Sequence, residues 1–215
     1  MRILFLTHGF NSLTQRLFVE LRQLGHQVSI EFDINDAVAE QAVELFKPEL
    51  ILAPFLKRAI PETIWRHHRC IIVHPGIKGD RGPSSVDWAI MENRSSWGVT
   101  CIEAVAEMDA GDIWASVEFP MRAASKSSSY RNEITDGALA AVKLTLARIE
   151  SGTYTPQPLN YAQPDIKGQW HCLMTQGERR IDWQRDSSEI ILRKIRAADS
   201  QPGVKELIAG KGYYL

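Results

Sequence analysis

Residues 71–90 read IIVHPGIKGDRGPSSVDWAI, and residues 97–113 read WGVTCIEAVAEMDAGDI. The first opens inside a short apolar run, Cys70 to His74, of the kind a strand buried on both faces requires. A loop rich in Gly and Pro follows, then a predicted helix over Ser84–Asn93, with Ser84 and Asp87 at capping-box spacing behind Pro83. The second stretch predicts a strand over Val99–Val105, a turn at Met108-Asp109-Ala110-Gly111-Asp112, and a strand over Ile113–Phe119. With only a turn between them, the two late strands are expected to pair antiparallel at one edge of a sheet.

Outward from there the same alternation continues. Toward the N-terminus the sequence predicts strands over Arg2–Thr7, Gln27–Phe32 and Glu49–Ala53. Between them lie helices over Ser12–Leu24 and Asp36–Phe46. Leu13, Leu17, Phe18, Leu21 and Leu24 share one face of the first helix; Ser12 with Gln15 would cap it and Gly25 would stop it. Toward the C-terminus, Tyr130–Glu150 reads as one long helix with Ile134, Ala138, Ala141, Val142, Thr145 and Ile149 inward. The expected fold of residues 1–152 is therefore α/β: a Rossmann-like, mostly parallel twisted sheet with an antiparallel edge and helices on both faces.

After Gly152 the character changes. Pro156, Pro158 and Pro164 mark an irregular crossing segment. Arg180–Ala198 predicts a short strand and a helix capped by Asp186 with Glu189, ended by Pro202-Gly203. The closing GKGYYL reads as the start of a further strand, so residues 153–215 are expected to be a linker and helical extension leading into a following domain of a longer parent.

The totals exclude several classes. Apolar residues make up 44% of 215, enough for a full core, and 25 basic against 26 acidic residues supply no field for nucleic acid or an anionic membrane. No apolar stretch is long enough to span a bilayer, and MRILFLTHGF lacks the length and cleavage site of a signal peptide. Cys70, Cys101 and Cys172 form no close pair, which predicts reduced thiols in a cytoplasmic protein.

Function is expected where strands end. Gly9 in THGFNS is alone, so a GxGxxG dinucleotide site is not indicated. Asn11 and Ser12 open a helix, whose free N–H groups could cradle an anion or simply be capped. His74 before Pro75-Gly76 and Asp109 in its turn suit proton handling or stabilisation of an oxyanion. From spacing alone, a structural histidine and an ordinary turn aspartate fit equally well. Arg131, at the start of the long helix where the dipole disfavours a cation, faces either an anionic ligand or a neighbouring carboxylate such as Glu133. His67-His68-Arg69 reads as a solvated patch, no metal site is expected, and His171 and Cys172 stand isolated.

The run VHPGIKGDRGPSSVDWAI, followed by GVT and MDAGDI, resembles the 10-formyltetrahydrofolate-dependent formyltransferases. The later run RRIDWQRDSSEIILRKIRAADSQPG resembles the region leading into the C-terminal domain of the methionyl-tRNA enzymes. The wording HPGIKGDRGPSS, with THGFNSLTQR and SSSYRNEIT, resembles the hydrogenase-maturation branch of the family. The resemblance implies a folate formyl donor and three functional residues, an Asn, a His and an Asp. His74 and Asp109 match the last two, while Ile72 stands at the Asn position and cannot donate a hydrogen bond. The family's Leu-Leu-Pro is replaced by Gly76-Ile77-Lys78. Pterin binding is implied near Leu56, Lys57, Arg58 and Ala59 and near Glu107 and Met108. The branch implies the thiol of coenzyme A as acceptor, a hydratase-like second domain, and carbon monoxide supply to a nickel–iron centre; Asn11, Ser12 and Arg131 become candidates for acceptor phosphates. Rival expectations are formylation of an amine, on methionyl-tRNA or an amino sugar, and a folate-binding module that has lost catalysis.

Overall fold

A computed structural model describes residues 1–199 and 202–215. Six strands, β1 (Arg2–Thr7), β2 (Gln27–Phe32), β3 (Leu50–Ala53), β4 (Cys70–His74), β5 (Ser96–Glu103) and β6 (Ile113–Pro120), form one sheet in the order β2-β1-β3-β4-β5-β6. β1 to β4 pair in parallel; β5 runs antiparallel to both β4 and β6. The expected antiparallel edge is present, and β5 is the one reversed strand in it.

Alternation along the strands decides which helix covers which face. Ile3 and Phe5 pack with α1 (Ser12–Gln23), through Leu13, Leu17 and Leu21. Leu4 and Leu6 point the other way, onto Ala39 and Val43 of α2 (Asp36–Phe46) and Ile64 of α3 (Glu62–Trp65), a short helix the sequence did not announce. The α1 face also holds α4 (Ser85–Met91) and, beyond α5 (Lys126–Ser129), the long α6 (Thr135–Ser151). The chain then crosses back: Gln157 pairs with Ile113, and Ile166 joins Ile102 and Ile113 under the α2–α3 side. It finishes with α7 (Gln176–Arg179), α8 (Ser188–Ala198) and a hairpin of β7 (Lys205–Ile208) and β8 (Lys211–Tyr214).

Several local expectations are corrected. The predicted helix from Tyr130 begins at Lys126 and passes through a π-helical turn, Tyr130–Ile134, before becoming regular. Asn11, not Ser12, caps α1 by accepting from Thr14 N, and Gln15 donates instead to the Phe10 carbonyl at 2.7 Å. Ser84 makes no cap bond; its hydroxyl accepts from Met174 N, while Asp87 turns inward to Arg179 and Lys126. Ser187 caps α8, because Asp186 is held by Lys194 and Asp182 N. A capping box does occur at Thr175–Glu178, and the short strand expected after Arg180 is absent among the described residues there. The final strand has a partner after all, in Lys205–Ile208.

Candidate active site

His74 ends β4 opposite Thr100. The loop after it is pinned by its carbonyls: Ser85 Oγ and Trp97 Nε1 donate to Pro75 O at 2.6 and 2.8 Å, and Thr100 Oγ1 donates to Gly76 O at 2.8 Å. The chain then turns so that Asp80 Oδ2 meets His74 Nε2 at 2.8 Å.

Asp109 reaches the same ring from the far side. β5 is reversed, so the loop after it leaves at the amino-terminal end of β4, where Ala104 N donates to Cys70 O at 2.8 Å. The link is a nine-residue loop rather than the tight turn expected between two adjacent strands. It returns to the carboxyl end of β4. There Asp109, in the left-handed region at φ 52°, accepts from Gly82 N at 3.0 Å and lies 3.6 Å from His74 Nδ1. That separation exceeds a hydrogen bond. It leaves the Nδ1 position available to a ligand oxygen while the carboxylate still favours positive charge on the ring.

His74 is thus buried between two carboxylates. Burial disfavours its charged form, but the hydrogen bond to Asp80 and the charges of Asp109 and Asp80 outweigh it, and the pKa lies above the ordinary histidine value. The sequence did not signal a further part of this arrangement. Asp80 Oδ1 takes His171 Nδ1 at 3.0 Å, and His171 Nε2 lies 3.1 Å from Glu92 Oε1. His171 is carried in by the crossing segment, which pairs with the Asp80 loop through Arg81 N to Gln169 O and His171 N to Arg81 O. The GxxGDxG pattern around Asp80 hinted at a tight loop; nothing in the sequence pointed to a partner 91 residues away.

Of the two implied folate segments, Glu107–Met108 belongs to the Asp109 loop itself and Leu56–Ala59 follows β3. An open cleft of about 470 Å³ is lined by Asp36, Arg58, Ala59, Ile60, Trp65 and Ala106 among others. The N–H groups of Lys57 and Arg58 are already spent on Asp33 Oδ2, at 3.2 and 3.3 Å. Leu56 packs against the α2–α3 core. A second cleft, about 390 Å³, is lined by Arg81, Glu107, Met108 and Trp170. Arg81 spans it, with Nε donating to Met108 O at 2.8 Å and Nη2 to Glu107 at 2.7 Å.

The implied acceptor residues lie at the start of α1 and in the π turn. Asn11 Nδ2 donates to Tyr130 Oη at 3.3 Å, which joins the start of α1 to the π turn. Exposed Arg131 in that turn donates to Ser127 Oγ at 3.3 Å, and Glu133 pairs with Arg122 instead. Ser12 is the first helical residue, its expected capping role taken by Asn11. π turns recur at functional sites because they re-aim side chains within a helix. Ile72, where the resemblance implies an Asn, is half-buried and packs beside Ile102, Ile113 and Ile166. Burial pushes the thiols of Cys70 and Cys101 up to about 12, so neither is a nucleophile. Among the described residues no group of three or more His, Cys, Asp or Glu is placed to hold a metal ion.

Residues 31–145 match the formyl transferase family. The chain belongs to this family. It is 54% identical to the hydrogenase maturation factor HoxX of Bradyrhizobium diazoefficiens over 204 residues, 95% of this chain and 36% of that protein. The crystal structure of HypX from Aquifex aeolicus in complex with tetrahydrofolic acid superposes with a TM-score of 0.93 at 48% identity, over 99% of this chain and 36% of that one. Methionyl-tRNA formyltransferase from Clostridium thermocellum shares the fold, with a TM-score of 0.73 at 17% identity, over 95% of this chain and 87% of that one. The chain therefore spans little more than a third of the first two relatives, and it resembles both more closely than the tRNA enzyme.

Proposed function

We propose that this domain transfers a formyl group from 10-formyltetrahydrofolate to the thiol of coenzyme A, in the cytoplasm, as the first step by which a longer protein supplies carbon monoxide to a nickel–iron hydrogenase. The observation that carries the reaction class is the buried His74 ring between two carboxylates that favour its protonated form, with Nδ1 3.6 Å from Asp109 and not bonded to it. The acceptor sulfur attacks the formyl carbon, and the oxygen becomes an oxyanion. Protonated His74 stabilises that oxyanion from Nδ1, and Asp109 holds the imidazolium. The C–N10 bond then breaks, and the proton lost by the thiol ends on N10 of tetrahydrofolate. His74 and Asp109 are the natural carriers for it.

Ile72 bears on the acceptor. Loss of one oxyanion donor costs roughly 10²–10³ in rate. A thiol, with a reference pKa near 8.5, is partly ionised at neutral pH and demands less of the site than an ammonium group does. The pterin is assigned to the loops at Leu56–Ala59 and Glu107–Met108. The acceptor phosphates are assigned to the Asn11–Ser12 helix start and Arg131.

The test is tetrahydrofolate release from 10-formyltetrahydrofolate with and without coenzyme A. Release that depends on coenzyme A is expected. Bound folate with no acceptor-dependent release overturns the choice of acceptor. Tight, salt-sensitive tRNA binding would favour an amine on methionyl-tRNA in its place.

A further inference from the structure

Four hydrogen-bonded or ion-paired contacts run in series through this domain: Asp109 to His74, His74 to Asp80, Asp80 to His171, and His171 to Glu92. Carboxylate and imidazole alternate along its whole length. The Asp80 side chain is 0% exposed, and each of its oxygens meets one imidazole nitrogen. A buried carboxylate is tolerated only when it is paired in this way. His171 is clamped on every side. Its ring stacks on Trp88 at 5.4 Å and 14°, its backbone N donates to Arg81 O, and Gln169 and Glu92 lie at Nε2. Glu92 in turn is paired with Arg94.

We propose that His171 is a positioning residue of the formyl-transfer site, acting through Asp80 to fix the ring of His74. It never touches the reacting atoms. It spans Oδ1 of Asp80, so the carboxylate cannot rotate, and Oδ2 is left aimed at His74 Nε2. With Nε2 held, the Nδ1 edge of His74 faces Asp109 and the incoming carbonyl. The inference rests on the assignment of His74 to oxyanion stabilisation. It gives the crossing segment a part in the chemistry, and it supplies rigidity at a site where Ile72 offers no hydrogen bond.

The test uses the intact protein, with tetrahydrofolate release to coenzyme A followed across pH and the ring nitrogens of His74 followed by 15N NMR. The NMR readout holds whichever acceptor is the natural one. Asp80→Asn is expected to move the His74 titration downward and to lower kcat by about 100-fold. His171→Phe keeps the stacking on Trp88 and loses both ring nitrogens. It is expected to displace the His74 titration and to lower kcat by about 10-fold, with folate KM within roughly threefold. His171→Asn, whose amide can still donate to Asp80, should recover most of that loss. In an Asp80→Asn background, His171→Phe should add less than about twofold, because both act through one contact. A wild-type pH profile and His74 spectrum in His171→Phe, or full additivity with Asp80→Asn, overturns the proposal. His74→Ala separates the two levels. If it is inactive while His171→Phe is unaffected, only the positioning role falls; if it is fully active, the site assignment falls as well.

Discussion

Gly76 lies against the hydrogen bond between His74 and Asp80, so close that a Cβ at this position would collide with both Asp80 Oδ2 and His74 Nε2. The side chain is absent because the carboxylate occupies its place. Gly76→Ala is therefore expected to break the contact without unfolding the sheet. The loss should be that of one charged hydrogen bond, about 1.5–3 kcal/mol in stability, with activity reduced at least about 100-fold. Denaturant unfolding and formyl-transfer kinetics on the same variant check both numbers.

The raised pKa of His74 has a definite sign in the stability curve. The folded ring holds its proton more tightly than the unfolded one. The stabilisation is complete below the ordinary histidine value of about 6.5 and is lost as pH rises through the folded value. Unfolding free energy should fall as pH rises above about 6.5 in the wild type and fall less steeply in Asp80→Asn. Equal slopes in the two proteins would contradict the charge assignment.

Ile72→Asn places a hydrogen-bond donor at the position where the family resemblance implies an Asn. The site is half-buried among isoleucines, so the change should cost about 1–3 kcal/mol of stability. If the oxyanion lacks a donor, kcat should rise by roughly tenfold or more once folded protein is counted. An unchanged kcat with normal folate binding would mean that His74 already meets the oxyanion's full need.

Asp87 joins three elements, accepting from Arg179 of α7 and Lys126 of α5 while sitting on α4. Arg179 is buried, and its removal leaves the Asp87 charge with only the lysine. Arg179→Met is expected to cost about 3–5 kcal/mol and to expose residues 175–199 to protease before the sheet unfolds. Limited proteolysis followed by mass analysis would show cleavage confined to that stretch.

The parallel sheet was legible because each buried strand and amphipathic helix announces itself over a few residues. His74 and Asp109 were legible as candidates because His74 directly precedes a Gly- and Pro-rich loop and Asp109 falls in a turn next to a strand. The caps were misread at Ser84 and Asp186 for a shared reason. Both side chains are recruited by partners outside the capping pattern, Met174 N ninety residues away for Ser84 and Lys194 two turns along α8 for Asp186. His171 was unreadable in the same way. Its meaning depends on a segment that crosses the molecule, and an isolated histidine looks alike whether it is wired or idle. The path of the Asp109 loop was hidden too, since the direction of β5 follows from pairing and not from its own sequence.

A Cβ on Gly82 would strike the carbonyl oxygen of His171, so the crossing segment is seated directly on the loop that carries Asp80. The consequence concerns biosynthesis. While the chain is being made, every strand of the six-stranded sheet and helices α1 to α6 emerge within the first 152 residues. The surroundings of His74 cannot be completed until residue 171 has emerged and docked. A stalled or clipped chain ending short of His171 would thus hold every strand of the sheet and still lack the second partner of Asp80.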